Sequence, residues 1–287
     1  MVVHSLDRRR FLGAAAVAAG SLSQLAPTKL LAMPAPAAPR LQLGIQLYSL
    51  RGFDLPTALK HAAEVGFTQV EFYGGMLAVD ASPETIAQVK QQVADLGMTI
   101  SAHGVNRVGR DEGANRRLFE FAKTLGIKNI TIDPDPTAFD QLDELVKEFD
   151  MRVAIHNHGP NHRYNKVVDV LKAIEGHDPR IGACADLGHF IRSGEPPVEV
   201  IRLLKGRLYG IHLKDFAAME DKAEGVILGK GHLDVARVID ALLAVDFPSD
   251  GALSLEYEEN PKDPLAEIRQ CYAIANSAIA QAIAASQ

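Results

Sequence analysis

From residue 42 onward, short apolar runs rich in β-branched residues alternate with longer stretches whose apolar positions recur at helical spacing. The short runs, at residues 43–50, 69–73, 99–105, 129–133, 152–158, 181–186, 208–214 and 252–257, predict eight strands. The intervening stretches predict helices at about 56–66, 83–97, 112–126, 137–149, 166–175, 197–205 and 233–246, with a last helix over about 264–284. Gly66, Gly97 and Gly126 stand where helices give way to the next strand, the position a left-handed C-cap takes. A strand followed by a helix, repeated around the chain, predicts a closed (β/α)8 barrel of the TIM type. The competing open, doubly wound sheet would carry Gly-x-Gly-x-x-Gly at its first helix, and this chain does not. With 287 residues the chain accommodates one such domain, expected over residues 39–287.

The first 38 residues follow a different pattern. Asp7-Arg8-Arg9-Arg10-Phe11-Leu12 runs into a mild apolar stretch from Gly13 to Gly20, which resembles a twin-arginine export signal. The stretch is shorter than the ~20 apolar residues that span a bilayer, so no stable membrane anchor is expected. Cleavage in the Ala/Pro-rich tract 31–38 would leave an exported or periplasmic protein. Loss of Arg8, Arg9, Arg10, Lys29 and Asp7 moves the formal charge from −6 to −9. An acidic mature chain argues against a nucleic-acid partner, which requires Lys and Arg to neutralise phosphates. Cys184 and Cys271 are too few for a disulfide framework and are expected as buried thiols. A homo-oligomer remains open.

Active sites of such barrels lie at the C-terminal ends of the strands, so polar residues there carry most of the information. The predicted ends hold Glu71, His103, His156-Asn157-His158, Asp186, His212 and Glu256. Several ionisable groups around one axis are costly to bury unless they are paired or bind a cation. A mixed imidazole and carboxylate set suits Mn, Co, Zn, Ni or Fe better than Ca, so one divalent metal ion is the expected cofactor. Either His156 or His158, which share a strand face, could serve as the ligand from the fifth strand.

The segments Asp186-Leu187-Gly188-His189, Ile211-His212-Leu213-Lys214-Asp215, Gly229-Lys230-Gly231-His232-Leu233-Asp234 and Leu255-Glu256-Tyr257-Glu258 follow one another in a specific order. In that order the chain resembles the xylose isomerase-like sugar phosphate isomerase/epimerase superfamily over roughly residues 42–280. The resemblance implies metal ligands His156, Asp186, His212 and Glu256, with His156 standing where the family usually has Glu. It also implies His189 as a substrate-binding residue. His103, Arg192 and Tyr48 are further candidates for substrate contact, and Glu256, His158, Glu71 and Lys214 for acid/base or electrophilic roles. His232 sits in the Gly-rich loop after the seventh strand and is expected at its surface. No Arg follows His212 closely, which weakens the case for a phosphate group on the substrate.

The implied reaction is proton abstraction next to the carbonyl of a small sugar or keto sugar through a metal-stabilised enediolate, giving isomerisation or epimerisation. Replacement of the family Glu by His156 breaks a symmetric carboxylate pair. It therefore opens a second branch, β-elimination or hydration of a periplasmic 3-keto-glycoside. A non-catalytic sugar-binding module is a third reading. An amidohydrolase would place its His-x-His pair on the first strand, which here reads Gly44-Ile45-Gln46-Leu47-Tyr48.

Overall fold

The computed structural model describes residues 41–285; the predicted export signal lies outside the described residues. Eight parallel strands close into a barrel: β1 (Leu43–Gln46), β2 (Gln69–Phe72), β3 (Thr99–Val108), β4 (Asn129–Pro134), β5 (Arg152–His156), β6 (Ile181–Asp186), β7 (Leu208–Leu213) and the last strand, β10 (Ala252–Leu255). Between β7 and β10 a small antiparallel ladder, β8 (Asp215–Phe216) with β9 (Gly225–Val226), stands apart from the barrel. The outer helices are α1 (Leu55–Val65), α2 (Pro83–Asp95), α3 (Glu112–Leu125), α4 (Phe139–Phe149), α5 (Val167–Ile174), α6 (Leu187–Arg192), α7 (Pro197–Leu203), α8 (Val235–Ala244) and α9 (Leu265–Ala285). No described helix is long and apolar enough to cross a membrane.

Local chemistry explains where the helices start and stop. Asp54, Ser82, Asp111 and Asp234 accept a backbone N–H from the first helical turn, with Pro56 and Pro83 inside two of those turns. Gly66 and Gly126 end α1 and α3 at φ 115° and 86°, a conformation that favours glycine. The apolar stripes of these helices bury against the strands: Leu59, Phe119, Leu142 and Val238 are wholly or almost wholly shielded. Cys184 and Cys271 are both buried free thiols.

The strands differ from the predicted runs mainly at their C-terminal ends. β1 stops at Gln46, whose side chain accepts the N–H of Tyr48 and starts a tight turn over Leu47–Leu50. β5 stops at His156 because Asn157 no longer pairs in the sheet through its backbone. Its side chain instead brackets Asp186, with Nδ2 donating to the Asp186 carbonyl at 2.9 Å and Oδ1 accepting the Asp186 N–H at 2.8 Å. α6 is the one barrel helix that hydrophobic periodicity did not predict. It is six residues long, and Asp186 caps it through Oδ1, which accepts the His189 N–H at 2.7 Å.

Candidate metal centre and active site

His156 ends β5, Asp186 ends β6, His212 is the penultimate residue of β7, and Glu256 directly follows β10. The register holds them level, since Asp186 pairs with His212 and His212 with Ser254 across neighbouring strands. All four side chains are buried, with one ligand atom from each lying within 4.8 Å of the others. His212 Nδ1 is 3.1 Å from His156 Nε2, 3.2 Å from Glu256 Oε2 and 3.9 Å from Asp186 Oδ2. His156 Nε2 is 3.7 Å from Asp186 Oδ2.

The donor set fits a divalent cation. Asp186 uses Oδ1 as a helix cap and turns Oδ2, which is buried, toward the cluster and the Lys214 ammonium. Burial and the neighbouring His212 hold the His156 pKa well below its ordinary value, so this imidazole is neutral and its lone pair is free for a metal. Burial disfavours charge on Glu256, but Lys214 and His212 outweigh it and keep the group a carboxylate. On His212 burial also opposes charge, but Cys184 and the carboxylates of Glu256 and Glu71 outweigh it; a proton held there in the metal-free protein must leave when a metal binds.

Lys214 closes the cluster on one side. Its ammonium lies 2.9 Å from Asp186 Oδ2, 2.6 Å from Glu256 Oε2 and 2.7 Å from Glu258 Oε1. These carboxylates overcome the burial penalty and raise the Lys214 pKa well above normal. The glycine of Asp186-Leu187-Gly188-His189 makes room for this side chain, because a Cβ at Gly188 would sit 2.6 Å from Lys214 Cγ.

Above the cluster opens a cavity of about 360 Å³, lined among others by Gln46, Tyr48, Tyr73, His156, His158, His189, Glu256 and Glu258. His158 packs at a tilt against His162 with centroids 4.3 Å apart and faces His189 at 5.7 Å; its Nδ1 is buried without a partner. Burial pushes the His189 pKa down to about 3. Its Nδ1 accepts from the Arg192 guanidinium at 2.8 Å, leaving Nε2 3.8 Å from Asp186 Oδ2. Tyr48 and Tyr73 meet edge to face at 5.2 Å on the rim.

A model of the xylose isomerase-like TIM barrel matches residues 59–274, three quarters of the chain. The chain belongs to that family. It is similar to a 3-oxo-isoapionate decarboxylase of Pectobacterium atrosepticum, 26% identical over 63% of this chain and 70% of the relative. It is also similar to an inosose dehydratase of Clostridium tetani, 29% identical over 42% of this chain and 45% of the relative. Among solved structures, a protein of Parabacteroides distasonis ATCC 8503 superposes with a TM-score of 0.65 at 29% identity, covering 83% of this chain and 99% of that one.

Within this family frame the other expected site residues divide. His158, His189 and Tyr48 line the cavity. Glu71 does not: it is fully buried behind His212, bonded to that ring, to Thr131 and to Ser254. His103 is also withdrawn from the cavity, with Nε2 2.9 Å from the Leu77 carbonyl and Nδ1 3.2 Å from Asn106. Arg192 lies behind His189 and over the Phe216 ring, so it orients an imidazole and does not face the cavity. Lys214 is committed to its three carboxylates, and the His232 side chain is exposed as expected.

Sequence reasoning passed over four residues. Asn157 pins Asp186, while Gln46 and Tyr73 line the cavity. Asp215 accepts five backbone N–H groups, those of Phe216, Gly229, Gly231, His232 and Leu233, and so folds the Gly-rich loop back onto the end of β7.

Proposed function

We propose that the protein is an exported, divalent-metal-dependent enzyme that removes a proton from the carbon beside the carbonyl of a small keto sugar and expels the substituent on the next carbon. His156, Asp186, His212 and Glu256 hold the metal, which when bound polarises substrate oxygens as a Lewis acid. His158 is the base. The observation that carries this reading is the division of the cavity wall. The carboxylates lining it, Glu256 and Glu258, are both ion-paired with Lys214, whereas the buried Nδ1 of His158 has no partner. Inverting a carbon centre calls for two free bases on opposite faces of the sugar, and these paired carboxylates do not supply them. Elimination needs one. The base takes the proton, the C–H pair becomes the new double bond, and the oxygen substituent leaves with its own bonding pair. The names of the relatives, a decarboxylase and a dehydratase, support bond-breaking chemistry of this kind.

Isomerisation is the second reading. It is favoured by the facing rings of His158 and His189, 5.7 Å apart, between which a proton could pass from one carbon to its neighbour. An assay in D2O on 3-keto-glycosides and free ketoses, read by NMR, separates the two. Elimination releases the aglycone, and His158→Ala abolishes that release while metal content stays unchanged. Isomerisation interconverts ketose and aldose instead. Failure of every keto sugar to exchange a proton with solvent sinks both readings. Export is tested by fractionating cells that express the full chain and a variant with Arg8 and Arg9 replaced by Lys.

A further inference from the structure

The barrel interior beneath the cluster carries a polar layer where such barrels normally pack branched apolar side chains. Glu71 from β2 lies at its centre and is fully shielded from solvent. Its Oε2 is 3.1 Å from His212 Nε2 and accepts from Ser254 Oγ at 2.7 Å, while Oε1 accepts from Thr131 Oγ1 at 2.8 Å. The partners come from β7, β10 and β4, so one carboxylate ties four strands together at the depth of the metal ligands. A buried carboxylate is costly unless its oxygens are bonded, and here both are.

We propose that Glu71 is a positioning residue for the metal: it accepts the Nε2–H of His212 and thereby fixes the tautomer whose Nδ1 lone pair faces His156, Asp186 and Glu256. The inference rests on the metal reading above. A neutral imidazole has one donor and one acceptor nitrogen. Were the proton on Nδ1, the donor would point into the metal cluster and the Nε2 lone pair would face a carboxylate lone pair. With a cation bound, both contacts would be repulsive. Thr131 and Ser254 hold the carboxylate in the plane that reaches Nε2, and its charge makes the ring a stronger ligand. The Cys184 thiol lies on the same flank, and Glu71, Cys184 and His212 together form a second grouping within reach of one cation. That alternative requires a thiolate, and the Cys184 thiol is deeply buried.

The test uses the full-length protein with 15N-labelled histidine, loaded with Cd or Zn, alongside Glu71→Gln. The wild type is expected to bind one metal per chain, with metal-shifted Nδ1 and protonated Nε2 at His212. Glu71→Gln is expected to raise the metal dissociation constant roughly 10- to 100-fold with its circular dichroism unchanged. Thr131→Val and Ser254→Ala, which keep the charge and free one oxygen each, should weaken binding less and in the same direction; they carry the test if Glu71→Gln does not fold. Unchanged affinity in these variants, or metal coordination through Nε2, overturns the role. So does a second metal per chain that disappears in Cys184→Ser. A wild-type chain that takes up no metal overturns the metal reading and this role with it, a result distinct from equal binding by wild type and variant.

Discussion

Replacing Lys214 by methionine keeps an unbranched stem of similar length and removes the ammonium that lies 2.6 to 2.9 Å from Asp186, Glu256 and Glu258. At about 3 Å a unit charge pair is worth roughly 5 kcal/mol at an effective dielectric of 20, much of it offset by the cost of burying both ions. Taking away one partner leaves the others buried and unpaired, which costs about 3–5 kcal/mol. Because two of the three carboxylates are deeply buried, the metal-free variant should fall toward the upper part of that range. In a domain of this size each kcal/mol moves the midpoint by about 2–4 °C, so melting should drop by roughly 10 °C or more.

A divalent cation should reverse most of this loss, since it would bind the same Asp186 Oδ2 and Glu256 Oε2 atoms that the ammonium holds. Metal at 100 to 1,000 times its dissociation constant stabilises a folded protein by about 2.7–4.1 kcal/mol. Scanning calorimetry on chelator-treated and Mn- or Zn-loaded samples of both proteins gives the comparison. The metal should raise the midpoint of Lys214→Met more than that of the wild type. If the metal-free variant melts with the wild type, or the metal raises both equally, the ammonium and the metal do not share these carboxylates.

Alanine at His212 or Glu256 should each reduce bound metal to below one tenth of the wild-type content by mass spectrometry of the purified protein, whereas alanine at exposed His232 should leave it unchanged. Asp215→Ala leaves five backbone N–H groups without their acceptor and should destabilise the chain by about 3 kcal/mol or more; hydrogen exchange should accelerate across residues 216–233 while the β3 and β4 amides stay protected. Burial holds the His103 pKa below its ordinary value, so the unfolded chain binds the extra proton first. Stability from this group is complete above pH ~6.5 and is lost as pH falls, and His103→Asn should flatten the denaturant midpoint between pH 7 and 5. Asp178, held at about 2 by its bonds from Arg180, stabilises above its ordinary range near 3.8 and loses that contribution as pH falls through 2; Arg180→Ala should move acid unfolding to higher pH.

How far the sequence could be read depended on whether a residue's role is local. The barrel and the gathering of His156, Asp186, His212 and Glu256 were legible because strand alternation and strand ends are properties of a few consecutive residues, and closure brings equivalent ends together. Glu71 and His103 satisfy the same strand-end rule, yet their side chains meet partners 60 to 183 and 26 residues away, respectively, and those partners turn them from the cavity. Arg192 is a candidate for substrate contact on the sequence. Its hydrogen bond to His189, one helical turn back, makes it part of the support for that ring.

Asp215 shows what kind of signal was there to find. It closes the segment Ile211-His212-Leu213-Lys214-Asp215, and its five donors include the backbone N–H groups of Gly229 and Gly231, 14 and 16 residues on. A carboxylate at the end of a strand followed by a glycine-rich return is a backbone-binding arrangement as readily as a metal-binding one. The distinction lies in the glycines: at Gly231 a Cβ would come within 2.5 Å of Asp215 Oδ1, so this loop closes on the carboxylate only because that side chain is missing.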